Sequence, residues 1–91
     1  MQTGRLIYYE GRVQGVGFRY TVRRIAQGYD VSGQVRNLPD GRVELRLFGE
    51  SDEVDAFLRA IAESELESFI RSAAATGIPH DPAIKGFEIT A

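Results

Sequence analysis

The chain is 91 residues long, carries 11 Lys+Arg against 13 Asp+Glu for a net charge of −2, and has no cysteine. One domain spanning 1–91 is expected, too small to hold both a core and a deep enclosed pocket, so a ligand site has to be a surface cradle. The charge argues against general nucleic-acid binding, the missing thiols exclude disulfides and thiolate chemistry, and no apolar run approaches the roughly 20 residues of a membrane span.

Residues 5–11 are β-branched and aromatic, end in Gly11, and predict a first strand. Residues 12–17, Arg-Val-Gln-Gly-Val-Gly, read as a loop. From Phe18 the apolar spacing turns helical through Val22, Ile25 and Ala26, and Gly28 stands where a helix stops. Residues 32–37 predict a second strand, followed by Leu38-Pro39-Asp40-Gly41. In that turn Pro39 presets φ and Gly41 tolerates a positive one. Residues 42–48 alternate Val43, Leu45 and Leu47 against Arg42, Glu44 and Arg46, so this half-buried strand and the turn make a hairpin.

Ser51 is the expected N-cap of a second helix, with Asp52 and Glu53 in its first turn and Val54, Phe57, Leu58 and Ile61 as its apolar stripe. Residues 67–75 suit a helix by alanine content but also alternate, and are read as a strand. Thr76–Lys85, with Gly77, Pro79 and Pro82, is read as a loop, and Phe87 and Ile89 mark a last short strand. The order predicts an α+β, ferredoxin-like β-α-β-β-α-β sandwich: an antiparallel sheet with two helices on one face. That plan hosts many functions and names none.

Charge is unevenly spread. Eight arginines, from Arg5 to Arg46, lie in the first half, while Glu50 to Glu67 is strongly acidic. Arginine suits a planar or tetrahedral oxyanion, so a small anionic ligand near the N-terminal half fits. The 11–19 segment is where such a ligand would sit. Gly15 and Gly17 at a strand-to-helix junction let successive N–H groups point into one concavity beside a helix N-terminus. Arg19, in the first helical turn, can close that nest with a guanidinium. The bland alternative is a tight loop that needs glycine, followed by an arginine on a solvated face.

Known phosphate-loop signatures do not fit. Position 20 is Tyr, where a dinucleotide fingerprint needs its third glycine, and no Gly-Lys-Ser/Thr follows. Val13 stands six residues before Arg19, where a cysteine phosphatase would carry its nucleophile. With no covalent nucleophile on offer, water has to attack.

Gly11-Arg-Val-Gln-Gly-Val-Gly-Phe-Arg19 and Gly33-Gln-Val-Arg-Asn-Leu-Pro-Asp-Gly-Arg-Val-Glu44 resemble the two signatures of the acylphosphatase family, in the right order. The second helix and the closing Gly86–Ile89 also fit that family, whereas 64–80 and Gln34 depart from it. The resemblance implies hydrolysis of acyl phosphates without metal or other cofactor, with inorganic phosphate or sulfate as a product-like ligand. It implies that Arg19 and Asn37 are catalytic. The backbone of Gln14, Gly15, Val16, Gly17 and Phe18 would then hold the phosphoryl oxygens with Arg19, and Asn37 would orient water.

Other readings compete with these. Asn37 before a turn is otherwise a turn-capping residue, and His80, the one histidine, reads as exposed. Tyr8, Tyr9 and Tyr20 suggest base stacking on a ferredoxin-like sheet, but lack the aromatic strand motifs of an RNA-binding module. A second class is a phosphate- or carbamoyl-phosphate-binding module of the same fold. The initial Met and the end just past the last strand favour a stand-alone enzyme, and a monomer is expected. An N-terminus without the basic-then-apolar plan of a signal peptide makes the cytoplasm the default compartment.

Overall fold

The computed structural model describes residues 1–91. Strand β1 (Gln2–Gly11) leads through a loop into helix α1 (Phe18–Ala26), then β2 (Val31–Asn37), β3 (Val43–Glu50), α2 (Ser51–Ala62), a single 3₁₀ turn (Glu67–Phe69), β4 (Ile70–Ile78) and β5 (Phe87–Thr90). The sheet order is β4-β1-β3-β2-β5. β3 therefore lies between β1 and β2, antiparallel to both, and β4 pairs antiparallel with the other edge of β1. This is the split β-α-β arrangement of the ferredoxin-like plan. The sheet is mixed rather than purely antiparallel, because β5 joins β2 in parallel, Val35 opposite Ile89.

The periodicities explain which faces meet. Val43, Leu45 and Leu47 alternate on β3, and all three are fully buried. Phe18, Val22 and Ala26 of α1, at i, i+4 and i+8, and Val54, Phe57 and Ile61 of α2 cover them together with Ile7, Tyr9 and Val35. Each valine, leucine, isoleucine or phenylalanine among them contributes on the order of 1.5–3 kcal/mol when fully buried. Both helices sit over this face, as the patterning requires.

Besides shifts of one or two residues at the ends of β2 and β3, three boundaries differ from the sequence reading. α2 has Glu50, extended at φ −63° and ψ 141°, at its N-cap and no side-chain cap, so Ser51 is the first helical residue. The ladder causes this: Gln2 still pairs with Glu50, and the Ser51 N–H donates to the Met1 carbonyl. β4 spans 70–78 rather than 67–75. Leu66 is buried and the Phe69 N–H donates to its carbonyl, which closes the 3₁₀ turn before the strand begins. β1 offers Leu6 and Arg5 as partners to Thr76 and Gly77, and because it starts at Gln2 rather than Arg5 the pairing runs on from Gly4 to Ile78, so the expected loop is strand there. Gly28 follows the helix as expected, with Gln27 as C-cap, but in a conformation that needs no glycine.

Candidate active site

The β1–α1 loop is held at both ends. The Arg12 N–H donates to the Phe69 carbonyl at 2.9 Å, Val13 is buried, and Phe18 packs its ring 5.2 Å from that of Tyr9. Between these anchors the chain takes a left-handed conformation twice, at Gly15 (φ 79°) and at Gly17 (φ 75°). A Cβ at either glycine would meet nothing within 4 Å, so the dihedral and not crowding selects glycine. Alternation of this kind turns successive N–H groups to one side.

None of the main-chain N–H groups of Gln14, Gly15, Val16 and Gly17 has an acceptor within the chain. Gly17 is the N-cap of α1, and no side chain caps the helix. The free donors and the positive end of the helix dipole coincide, which is the composition of an anion cradle. It is open, as the chain's size demands. The depression of about 320 Å³ on the open face of the sheet, lined by Gln34, Arg36, Glu44, Arg46 and Thr90, lies apart from it.

Arg19 is half-buried and makes no ion pair or side-chain hydrogen bond. By contrast Arg5, Arg24, Arg36 and Arg42 each meet a carboxylate within 3.2 Å. A partly desolvated guanidinium with no internal counter-charge favours an external anion.

Asn37 ends β2 opposite Val43, and its Oδ1 is buried with no hydrogen-bond partner. It does not cap the turn. Asp40 does so instead, its carboxylate accepting from the Arg42 main-chain N–H at 3.1 Å and from Arg42 Nε at 2.8 Å. These bonds hold the Asp40 carboxyl below the usual carboxylate range. An uncommitted carboxamide in a partly buried position costs stability and has to be explained by something it does.

The Gln14 side chain was not foreseen. Its Nε2 donates to the Leu38 carbonyl at 2.8 Å and to the Arg42 carbonyl at 3.0 Å. The cradle loop is thereby joined to the turn that follows Asn37. Of the residues singled out beforehand, the structure brings the 14–18 loop and this hairpin together. Val16 packs against the core and the Phe18 ring lies in it, which leaves their main chain as the part free to bind. Arg19 stands at the second position of α1. His80 is exposed, edge-on to the Phe48 ring, and Tyr20 is exposed on α1. Tyr9 lies in the core, and Tyr8 sits under the Arg42 guanidinium at 4.4 Å. Nowhere do three or more His, Cys, Asp or Glu side chains converge as metal ligands would. No helix is long and apolar enough to cross a membrane.

The acylphosphatase family model matches residues 6–89, nearly the whole chain. The chain belongs to the acylphosphatase family. An acylphosphatase of Rubrobacter xylanophilus is 42% identical over 89 residues, which is 97% of this chain and 81% of that protein. One of Archaeoglobus fulgidus is 53% identical over 55 residues, 60% of this chain, and there the match spans 62% of the relative's length. The crystal structure of acylphosphatase from Bacillus subtilis superposes with a TM-score of 0.85 at 33% identity, covering 100% of both chains. Acylphosphatases are hydrolases, so the family is an enzymatic one, and its fold is the one described above.

Proposed function

We propose that this chain hydrolyses the carboxyl–phosphate bond of acyl phosphates by direct attack of water, acting as a monomeric cytoplasmic enzyme. The observation that carries the reading is the row of free N–H groups at 14–17 beside an arginine with no internal partner, in a chain of the acylphosphatase family. Main-chain amides of Gln14–Phe18 hold the non-bridging phosphoryl oxygens, and Arg19 neutralises the charge that collects on them. Asn37 holds the water in line with the leaving oxygen. Rotation of its carboxamide about χ2 exchanges nitrogen for the oxygen that is now buried.

The chemistry asks for little more. Water oxygen forms a bond to phosphorus, the bond from phosphorus to the acyl oxygen breaks, and its electron pair leaves on the carboxylate. The water proton passes to a phosphoryl oxygen, and the products are carboxylate and inorganic phosphate. A carboxylate leaves without a strong general acid. Phosphoryl transfer runs through a loose transition state, where placement and charge stabilisation supply most of the catalysis. An amide cannot act as a base, so the role of Asn37 is geometric.

The test is hydrolysis of benzoyl phosphate in excess chelator by wild type, Arg19→Ala and Asn37→Ala. Arg19→Ala should lose at least about 100- to 1000-fold, as for one oxyanion donor, and should weaken inhibition by inorganic phosphate. Asn37→Ala should depress turnover and leave phosphate inhibition nearly intact. A chelator-sensitive rate, or equal loss of phosphate affinity in both variants, overturns the assignment.

A further inference from the structure

The two carbonyls that receive the Gln14 side chain are the ones that close the β2–β3 turn. The Leu38 carbonyl also accepts from the Gly41 N–H at 3.1 Å, and the Arg42 carbonyl from the Leu38 N–H at 2.8 Å. Each oxygen has two lone pairs, and Gln14 takes the second of each with its two amide hydrogens. The turn is already complete without it. The glutamine therefore adds little to the hairpin itself and instead fixes the hairpin's position against the loop. These two bonds span 24 and 28 residues of sequence. They join the parts of the site that come from different halves of the β-α-β unit.

We propose that Gln14 is a positioning residue, which sets the distance between the phosphate cradle and Asn37 by clamping the 38–42 turn to the 14–17 loop. This rests on the reading that Asn37 aims the attacking water. Its main chain contributes to the cradle, while its side chain turns to the turn's carbonyls, so one residue holds both components of the reaction. The cradle keeps its shape from Gly15, Gly17 and the buried Val13 and Phe18, all independent of the clamp. The Asn37 main chain is held by the β2–β3 ladder opposite Val43, but its Oδ1 bonds to nothing in the chain, so where the carboxamide points depends on how the adjoining turn is set. Releasing the turn should therefore disturb the water and spare the phosphate. Misplacement by about 1 Å is enough to cost on the order of 100-fold in rate.

Gln14→Met keeps the length and removes both donors. It should lower kcat 10- to 100-fold while the inhibition constant for inorganic phosphate changes less than twofold, on the same effective-positioning scale. In an Asn37→Ala background the same substitution should have almost no further effect on kcat, because the group it positions is gone. The Asn37 side-chain amide resonances should shift in Gln14→Met, a readout that does not depend on turnover. Unmoved Asn37 resonances, additive losses in the double variant, or a phosphate constant that worsens in step with kcat would each overturn the clamp. Should Gln14→Met fail to fold, the wild type decides. Its Gln14 side-chain hydrogens must then show slow exchange and couplings to the Leu38 and Arg42 carbonyl carbons, and their absence rejects the proposal. An inactive wild type, or an Asn37→Ala variant as active as wild type, rejects the underlying assignment of Asn37 instead, and the resonance shift tells the two failures apart.

Discussion

Tyr9, on β1, and Phe18, the first residue of α1, pack their rings at 5.2 Å and a tilt of 57°, under the loop that joins their two elements. Tyr9 is buried, and desolvation pushes its phenol above the ordinary range. The unfolded chain ionises this group near a pH of about 10, and the folded chain only above that. The folded state then binds more protons than the unfolded one in that window. Stability is full below about pH 10 and falls as pH rises further, with a slope of up to about 1.4 kcal/mol per pH unit for one proton. Urea unfolding of wild type and Tyr9→Phe between pH 8 and 11 should diverge on the alkaline side, the phenylalanine variant losing less.

Gly15 and Gly17 allow a sharper separation of stability from binding. A left-handed residue other than glycine costs roughly 1–2 kcal/mol, and asparagine tolerates the region better than alanine. No clash adds to this, because a Cβ there meets open space. Gly15→Ala should therefore lower unfolding stability by only about that amount, yet raise the phosphate inhibition constant several-fold as the N–H groups rotate. Gly15→Asn should do less of both. Equal phosphate affinity in all three proteins would remove the cradle.

How much of this was legible in the sequence varied with how local the cause was. The helix stripes at Phe18–Ala26 and Val54–Ile61, the alternation at Val43–Leu47 and the Pro39–Gly41 turn are short-range patterns, and they stand in the structure as read. The motif loop needed only two glycines and a neighbouring arginine. What escaped was tertiary in origin. β4 is an edge strand whose Arg71–Gly77 stretch is exposed on both faces, so no burial pattern could mark its register. Ser51 looks like a cap by type, but strand pairing with Met1 and Gln2 carries the chain straight into α2. The Gln14 bonds reach carbonyls in a distant hairpin, which no local spacing announces.

Phe57 tests the core. It is fully buried and meets Tyr29 at 5.8 Å and Phe87 at 5.7 Å, so it ties α2 to the β5 edge. Phe57→Ala should cost about 3–5 kcal/mol, a large part of the roughly 5–15 kcal/mol margin of a domain. Calorimetry should show a sharply lowered Tm, and hydrogen exchange should speed up most in β5. Loss confined to α2 would contradict the packing.

Asn37 should show a trade between stability and activity. Its Oδ1 is buried without a partner, and a buried unpaired acceptor destabilises by about 1–3 kcal/mol. Removing the carboxamide removes that penalty together with the group that orients water. Alanine is no worse a strand former than asparagine, and Asn37 is the last residue of β2, so little ladder depends on it. Asn37→Ala should therefore unfold at a urea midpoint equal to or above that of wild type, while its turnover collapses. An ordinary structural asparagine would behave the other way round, with a lowered midpoint and a rate that follows the folded fraction. Measuring both quantities on one preparation separates the two. A variant less stable than wild type but still active would mean that the orphaned oxygen serves the fold and not the reaction.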